Sequence, residues 1–123
     1  TAHNTSAVAM TAGRLVLLAS GLAALMAQLV KRLSKRRRPS EGITGFSALV
    51  ANPDAFSFPS GHTAAAVAVA VALSALPGPL GLFFAGFAVL VGFSRVYLGA
   101  HYPLDVAAGS LVGLLAGVAT WWV

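Results

Sequence analysis

The sequence predicts an all-α integral membrane protein, a helical bundle of about four transmembrane spans, on two observations. Hydrophobic residues make up 58% of the 123-residue chain and charged residues 9%, where a soluble domain carries about 25% charged residues; mean hydropathy is +0.84. The apolar residues also cluster into four stretches, at about 12–30, 61–76, 79–98 and 104–123, each near the roughly 20 residues that cross a bilayer as a helix. This length accommodates a single domain, residues 1–123, and no second one.

The first stretch runs into Lys-Arg-Leu-Ser-Lys-Arg-Arg-Arg-Pro at 31–39, which holds six of the eight Lys and Arg residues and localises the net charge of +5. On a soluble protein such a run suggests nucleic acid; after an apolar stretch it marks a helix end at a charged membrane surface, and nucleic acid is not an expected partner. The chain starts at Thr1 rather than Met, which leads us to expect a trimmed or partial version of a longer product. The second stretch is short and must start at or near Ser60 to cross. Pro77-Gly78-Pro79 then breaks the helix, predicting a tight hairpin between the second and third spans. Trp121-Trp122 closes the fourth as an interfacial anchor. Ala64, Ala65, Ala68 and Ala72 on the second span, and Gly109, Gly113 and Gly117 on the fourth, suit close helix packing. The glycine face is also the candidate surface for a homo-oligomer. With no cysteine, disulfides, thiolate metal sites and Cys nucleophiles are excluded.

Alternating spans sort the polar residues. The first span ends at Lys31 on what we call the basic face, and loop 39–58 stays there. The second span leaves that face at Ser60–His62, the third returns with Ser94-Arg95, and the fourth departs just after His101. Topology therefore gathers Lys31, Arg38, His62, Arg95, His101 and Asp105 on one membrane face. Ionisable residues are costly in a bilayer and mark functional sites there.

Three motifs stand on that face. Lys31, six residues, then Arg38-Pro39 reads alone as a polybasic helix end; Pro59-Ser60-Gly61-His62 reads alone as an N-cap. Ser94-Arg95, five residues, His101, three residues, Asp105 reads alone as a helix-end loop. Together, in this order and on one face, they resemble the signature of the type 2 phosphatidic acid phosphatase family, membrane lipid phosphatases that share their site with vanadium haloperoxidases. The match holds at every signature residue between Lys31 and Asp105. Family members often have about six spans, so the four counted here suit an N-terminally truncated bundle, a minimal member or an incomplete active fold.

The residue types also fit phosphoryl transfer chemically. Such transfer spreads negative charge over three equatorial oxygens, and catalysis is mostly positioning and electrostatic stabilisation. Lys31, Arg38 and Arg95 supply three cations, two of them guanidinium forks suited to phosphate oxygens. The start of the second span offers N–H groups at Ser60, Gly61 and His62, with Gly61 permitting close backbone approach. The only carboxylates are Glu41, Asp54 and Asp105, too few and too scattered for a metal cluster, so the expected chemistry needs no metal or other cofactor. Two histidines suggest divided labour, one attacking and one protonating, and Asp105 four residues after His101 can fix its tautomer. The resemblance implies which is which: His101 is the nucleophile, giving a phosphohistidine, and His62 protonates the leaving oxygen.

The expected function is thus hydrolysis of a lipid phosphomonoester or diphosphate, such as phosphatidate, phosphatidylglycerophosphate or undecaprenyl diphosphate. A lipid phosphotransferase would use the same residues, and a non-catalytic membrane scaffold would have been favoured by a lost His or Arg. The soluble haloperoxidase reading fails on hydropathy. Leaving out the signature residues, Arg32, Lys35, Arg36 and Arg37 lie on the basic face and Arg14 near the other. The positive-inside rule then favours a site on the cytoplasmic face, whereas the resemblance leaves the outer face open, since many bacterial members work there on undecaprenyl diphosphate; the Ala/Gly/Val and Arg-over-Lys bias suggests a bacterial plasma membrane. Loop 40–58 is expected to lie over the site and shape specificity.

Overall fold

The computed structural model describes residues 2–35 and 58–123. Four α-helices and a terminal 3₁₀ turn make up these residues: α1 (Ala2–Ser34), α2 (Gly61–Leu73), α3 (Leu80–Tyr97), α4 (Pro103–Ala119) and the turn Thr120–Trp122. Three of the helical segments are long and apolar enough to cross a membrane, and α2 is a shorter apolar helix. The chain is an integral membrane protein.

At 33 residues, α1 is about 50 Å long, well beyond the expected span of 12–30. The residues before Ala12 are too polar to register as a span, yet they include no proline, so nothing stops the helix there. Its buried stripe is Leu15, Ala19, Ala23 and Ala27, one residue per turn, and it continues in register to Lys31. The small alanines bring the backbone close to α2 and α4, while Leu17, Leu25, Leu29 and Leu33 face outward. The helix ends at Lys35, which takes a left-handed conformation (φ 52°) and donates its N–H to the Lys31 carbonyl at 3.0 Å.

The central helix, α2, touches α1, α3 and α4. Its 13 residues span about 20 Å, less than the 61–76 stretch promised, because the chain leaves the helix at Ser74 and enters the Pro77-Gly78-Pro79 turn with Gly78 at φ 97°. That turn makes the expected hairpin. Gly81 lies against Ser74, so close that a Cβ there would fall 2.7 Å from the Ser74 Cα. From here α3 exposes Leu82, Phe83, Phe87, Leu90 and Phe93 to the surroundings and buries only Gly81, Ala88 and Gly92, the pattern of a helix bathed in lipid.

The glycine stripe of α4 is internal. A Cβ at Gly109 would meet the Ser60 carbonyl oxygen, one at Gly113 the Ala64 oxygen, and one at Gly117 the Ala68 oxygen and the Val71 side chain. The α4 backbone therefore lies directly on α2. Gly109, Gly113 and Gly117, read in the sequence both as a close-packing stripe and as a candidate oligomer face, thus lie against the chain's own second helix. At the far end Arg14 Nη2 donates to the Val123 carbonyl at 3.0 Å, joining α1 to the end of the fourth helical segment. Trp121 and Trp122 are exposed there, as an interfacial anchor requires.

Candidate active site

The packing just described brings the ends of α1 and α3 and the starts of α2 and α4 to one end of the bundle. Ser34 Oγ, at the end of α1, donates to the Phe58 carbonyl at 3.1 Å, so Lys31, one turn earlier, lies near the entry to α2. Lys31 is only 5% exposed, its aliphatic stem continuing the apolar stripe below it.

Ser60 caps α2. Its Oγ accepts the Thr63 N–H at 3.3 Å and donates to the Thr63 hydroxyl at 2.9 Å, and both residues are buried. Its own N–H donates to the Asp105 carbonyl at 2.9 Å. The Ser60 N–H and hydroxyl are thus used in joining and capping helices, whereas the sequence offered this N–H to phosphate. Gly61 and His62 occupy the first turn of α2, where helix geometry directs amides and the positive dipole end outward. Gly61 is partly buried and His62 exposed. Among the described residues, a Cβ on Gly61 would meet nothing within 4 Å.

The third motif is a helix-to-helix turn. The Arg95 carbonyl accepts from the N–H groups of Ala100 (3.0 Å) and His101 (3.2 Å), and Gly99 at φ 80° lets the chain fold back so tightly. Pro103 then starts α4, with Asp105 in its first turn. The Asp105 Oδ2 accepts the Tyr102 N–H at 2.7 Å, and the Asp105 N–H donates to the Tyr102 carbonyl at 3.0 Å. The carboxylate is thereby fixed at the positive end of α4.

His101 and Asp105 are 2% and 0% exposed. The imidazole Nδ1 faces Asp105 Oδ2 at 3.8 Å, within ion-pair range but longer than a hydrogen bond. With Nδ1 turned toward the carboxylate, Nε2 is the nitrogen on the opposite side of the ring. Arg95, in the last turn of α3, is partly buried.

The structure therefore brings Lys31, Ser60, Gly61, His62, Arg95, His101 and Asp105 to one end of the bundle. Arg38 and loop residues 40–57 lie outside the described residues. Sequence reading missed Thr63 and Tyr102. Thr63 had a signal, since it stands three residues after an N-cap serine, where a capping box places its second polar residue. Tyr102 contributes backbone atoms to the Asp105 bonds, and nothing in a side-chain pattern could have marked it.

The PAP2 superfamily profile matches residues 12–123. An undecaprenyl-diphosphatase of Sulfolobus acidocaldarius is 37% identical over 75% of this chain and 45% of its own length. Phosphatidylglycerophosphatase B of Bacillus subtilis is 39% identical over 84% of this chain and 53% of its own. Among solved structures, the transmembrane PAP2-type phosphatidylglycerolphosphate phosphatase from Bacillus subtilis superposes with a TM-score of 0.73 at 28% identity, covering 99% of this chain and 69% of that one. The chain spans about half the length of the curated relatives it matches.

Proposed function

Because the chain belongs to the PAP2 superfamily, we propose that it is a membrane lipid phosphatase, hydrolysing a phosphomonoester or diphosphate on a lipid by way of a phosphohistidine. The observation that carries this reading is the buried pairing of His101 with Asp105, at the end of the bundle where Lys31, Arg95 and the start of α2 converge.

The phosphate sits over the first turn of α2. The amides of Gly61 and His62, together with Lys31, Arg38 and Arg95, neutralise its oxygens and stabilise the charge that spreads over them as the bond to the leaving oxygen lengthens. His101 Nε2 attacks phosphorus while Asp105 steadies the positive charge growing on the ring. The bond from phosphorus to the lipid oxygen breaks, and that oxygen takes a proton from His62. In the second step His62 accepts a proton from water, the resulting hydroxide attacks phosphorus, and the N–P bond breaks to release inorganic phosphate and restore His101. Cations of the protein do the electrostatic work throughout, so the reaction needs no metal ion.

The substrate is a lipid phosphate of the kind named for the relatives, such as phosphatidylglycerophosphate or undecaprenyl diphosphate. We place the protein in a bacterial plasma membrane with this end cytoplasmic, since Arg32 and Lys35 flank the site and Arg14 lies toward the other end.

Phosphate release from phosphatidate, phosphatidylglycerophosphate and undecaprenyl diphosphate, measured in detergent with EDTA, tests this. Release that survives the chelator and is lost in His101→Ala is the expected result. Release that EDTA abolishes, or that His101→Ala retains, overturns the mechanism.

A further inference from the structure

The signature residues come from the end of α1, the start of α2 and the turn between α3 and α4, and the last two are tied together by backbone. The Ser60 N–H reaches the Asp105 carbonyl at 2.9 Å, and Gly109, Gly113 and Gly117 seat α4 against α2. The end of α1 is held differently. Along its length α1 meets the bundle through Ala19, Ala23 and Ala27, which pack in one cluster with Ala64, Ala68 and Ala72. Alanine methyls bring backbones close but form shallow ridges, so such a seam resists tilting and sliding less than interlocked large side chains do.

Polar bonds engage α1 toward both ends of the bundle. At the far end Arg14 Nη2 donates to the Val123 carbonyl at 3.0 Å. At the site end Ser34 Oγ donates to the Phe58 carbonyl at 3.1 Å, on the residue that precedes Pro59 and the second motif. Ser34 Oγ also lies 3.4 Å from the Lys31 carbonyl, which accepts the Lys35 N–H at 3.0 Å. The last turn of α1, Lys31 included, is thereby bound to the chain entering α2 through a side chain that belongs to no signature motif. Lys31 stands about 25 Å along α1 from Arg14. With the far end held, a tilt of about 5° carries Lys31 through about 2 Å, and a misplacement of about 1 Å in an active site can cost about 10²-fold in rate.

We propose that Ser34 is a positioning residue: by holding the end of α1 to the Phe58 carbonyl, it sets where the Lys31 ammonium stands relative to a phosphate over the first turn of α2. The proposal rests on the phosphatase reading and adds to it a residue outside the signature. Ser34 is exposed, so water competes for its hydroxyl and for the Phe58 carbonyl, and the bond contributes little to stability. Its effect falls on the placement of Lys31 instead. A bond that served the fold alone would show the reverse pattern, a loss of stability that activity merely follows.

Kinetics and a distance measurement test this. Ser34→Ala should lower kcat/KM for lipid phosphate by about tenfold, less than the loss of the ammonium itself would, while its unfolding temperature in detergent stays near that of wild type. Ser34→Thr keeps the hydroxyl and should recover most of the rate. In a Lys31→Met background, Ser34→Ala should change kcat/KM by less than about twofold, because the group that Ser34 positions is already gone. The same tenfold loss in both backgrounds overturns the proposal, as do wild-type kinetics in Ser34→Ala. The chain has no cysteine, so spin labels on Leu29→Cys and Leu111→Cys, both at exposed positions, report the distance between α1 and α4 without background. Ser34→Ala should shift or broaden that distance distribution and Ser34→Thr should restore it; an unchanged distribution in Ser34→Ala shows that the bond does not hold α1. The distance is read without turnover, so the two readings fail separately: a wild-type protein that releases no phosphate rejects the phosphatase, and the spin labels still decide whether Ser34 holds the end of α1.

Discussion

The backbone N–H of Ser60 donates to the carbonyl of Asp105 at 2.9 Å, and this one bond joins the second signature motif to the third. It fixes the first turn of α2, where phosphate is proposed to bind, relative to the carboxylate behind His101. Two segments 45 residues apart in sequence thereby act as one rigid unit.

That bond depends on Gly109. A Cβ at this position would lie 2.5 Å from the Ser60 carbonyl oxygen, which itself accepts the Ala64 N–H at 3.0 Å. Backbone cannot rotate aside as a side chain can, so Gly109→Ala must push α4 off α2. A stability loss of about 1–3 kcal/mol is expected from overpacking, read as a lower unfolding temperature in detergent. Activity should fall further than stability does, because the displaced carbonyl belongs to the site. Equal stability of Gly109→Ala and wild type would mean that the two helices are looser than described.

Asp105 offers a cleaner separation of charge from structure. In Asp105→Asn the amide oxygen can still accept the Tyr102 N–H, now at 2.7 Å to Oδ2, so the helix start should survive. What goes is the negative charge facing His101 Nδ1. The expected outcome is a folded protein whose kcat drops by up to about 10⁴, the loss seen when a carboxylate behind a catalytic imidazole is neutralised. Circular dichroism and phosphate release on the same preparation check it; retention of full kcat would remove Asp105 from the mechanism.

Thr63 is buried and shares two hydrogen bonds with Ser60. Thr63→Val keeps the shape and removes the hydroxyl, leaving the Ser60 hydroxyl without its acceptor at a cost of about 1–3 kcal/mol. Thr63→Ser keeps the hydroxyl and should recover most of that loss in thermal unfolding. If Val and Ser variants unfold alike, the hydroxyl pair is not what holds the cap.

Much of this arrangement was legible in sequence because membrane topology is a strong constraint. Once the chain must cross and return, Lys31, His62, Arg95 and His101 have to meet on one face. The Pro-Gly-Pro turn was equally plain, since neither proline can continue a helix. Less visible was the start of α1, because the polar turns before Ala12 lack the hydropathy of a span while keeping helical propensity. The glycine stripe announced a close contact but not its partner: Gly109, Gly113 and Gly117 would look the same facing α2 or a second copy. The link between Ser60 and Asp105 left no trace at all, being made between backbone atoms that every sequence has.

Lys31 yields the last prediction, since its burial has two sources. Leu15, Ala19, Ala23 and Ala27 form one buried stripe of α1, and Lys31 is the next position in that register. The methylene stem therefore packs as its predecessors do, and the ammonium emerges at the end where the proposed phosphate site lies. Lys31→Met retains the stem and deletes the charge, so the apolar packing of the stem should survive and the variant should remain folded. Losing one cation that stabilises a phosphoryl transition state should lower kcat/KM by about 10²–10³, as removal of a single well-placed electrostatic contact does. Lys31→Ala loses the stem as well and should combine that kinetic defect with a lower unfolding temperature. Should Lys31→Met turn over lipid phosphate at the wild-type rate, the residue serves packing alone, and the phosphate must be neutralised by the arginines and the first turn of α2.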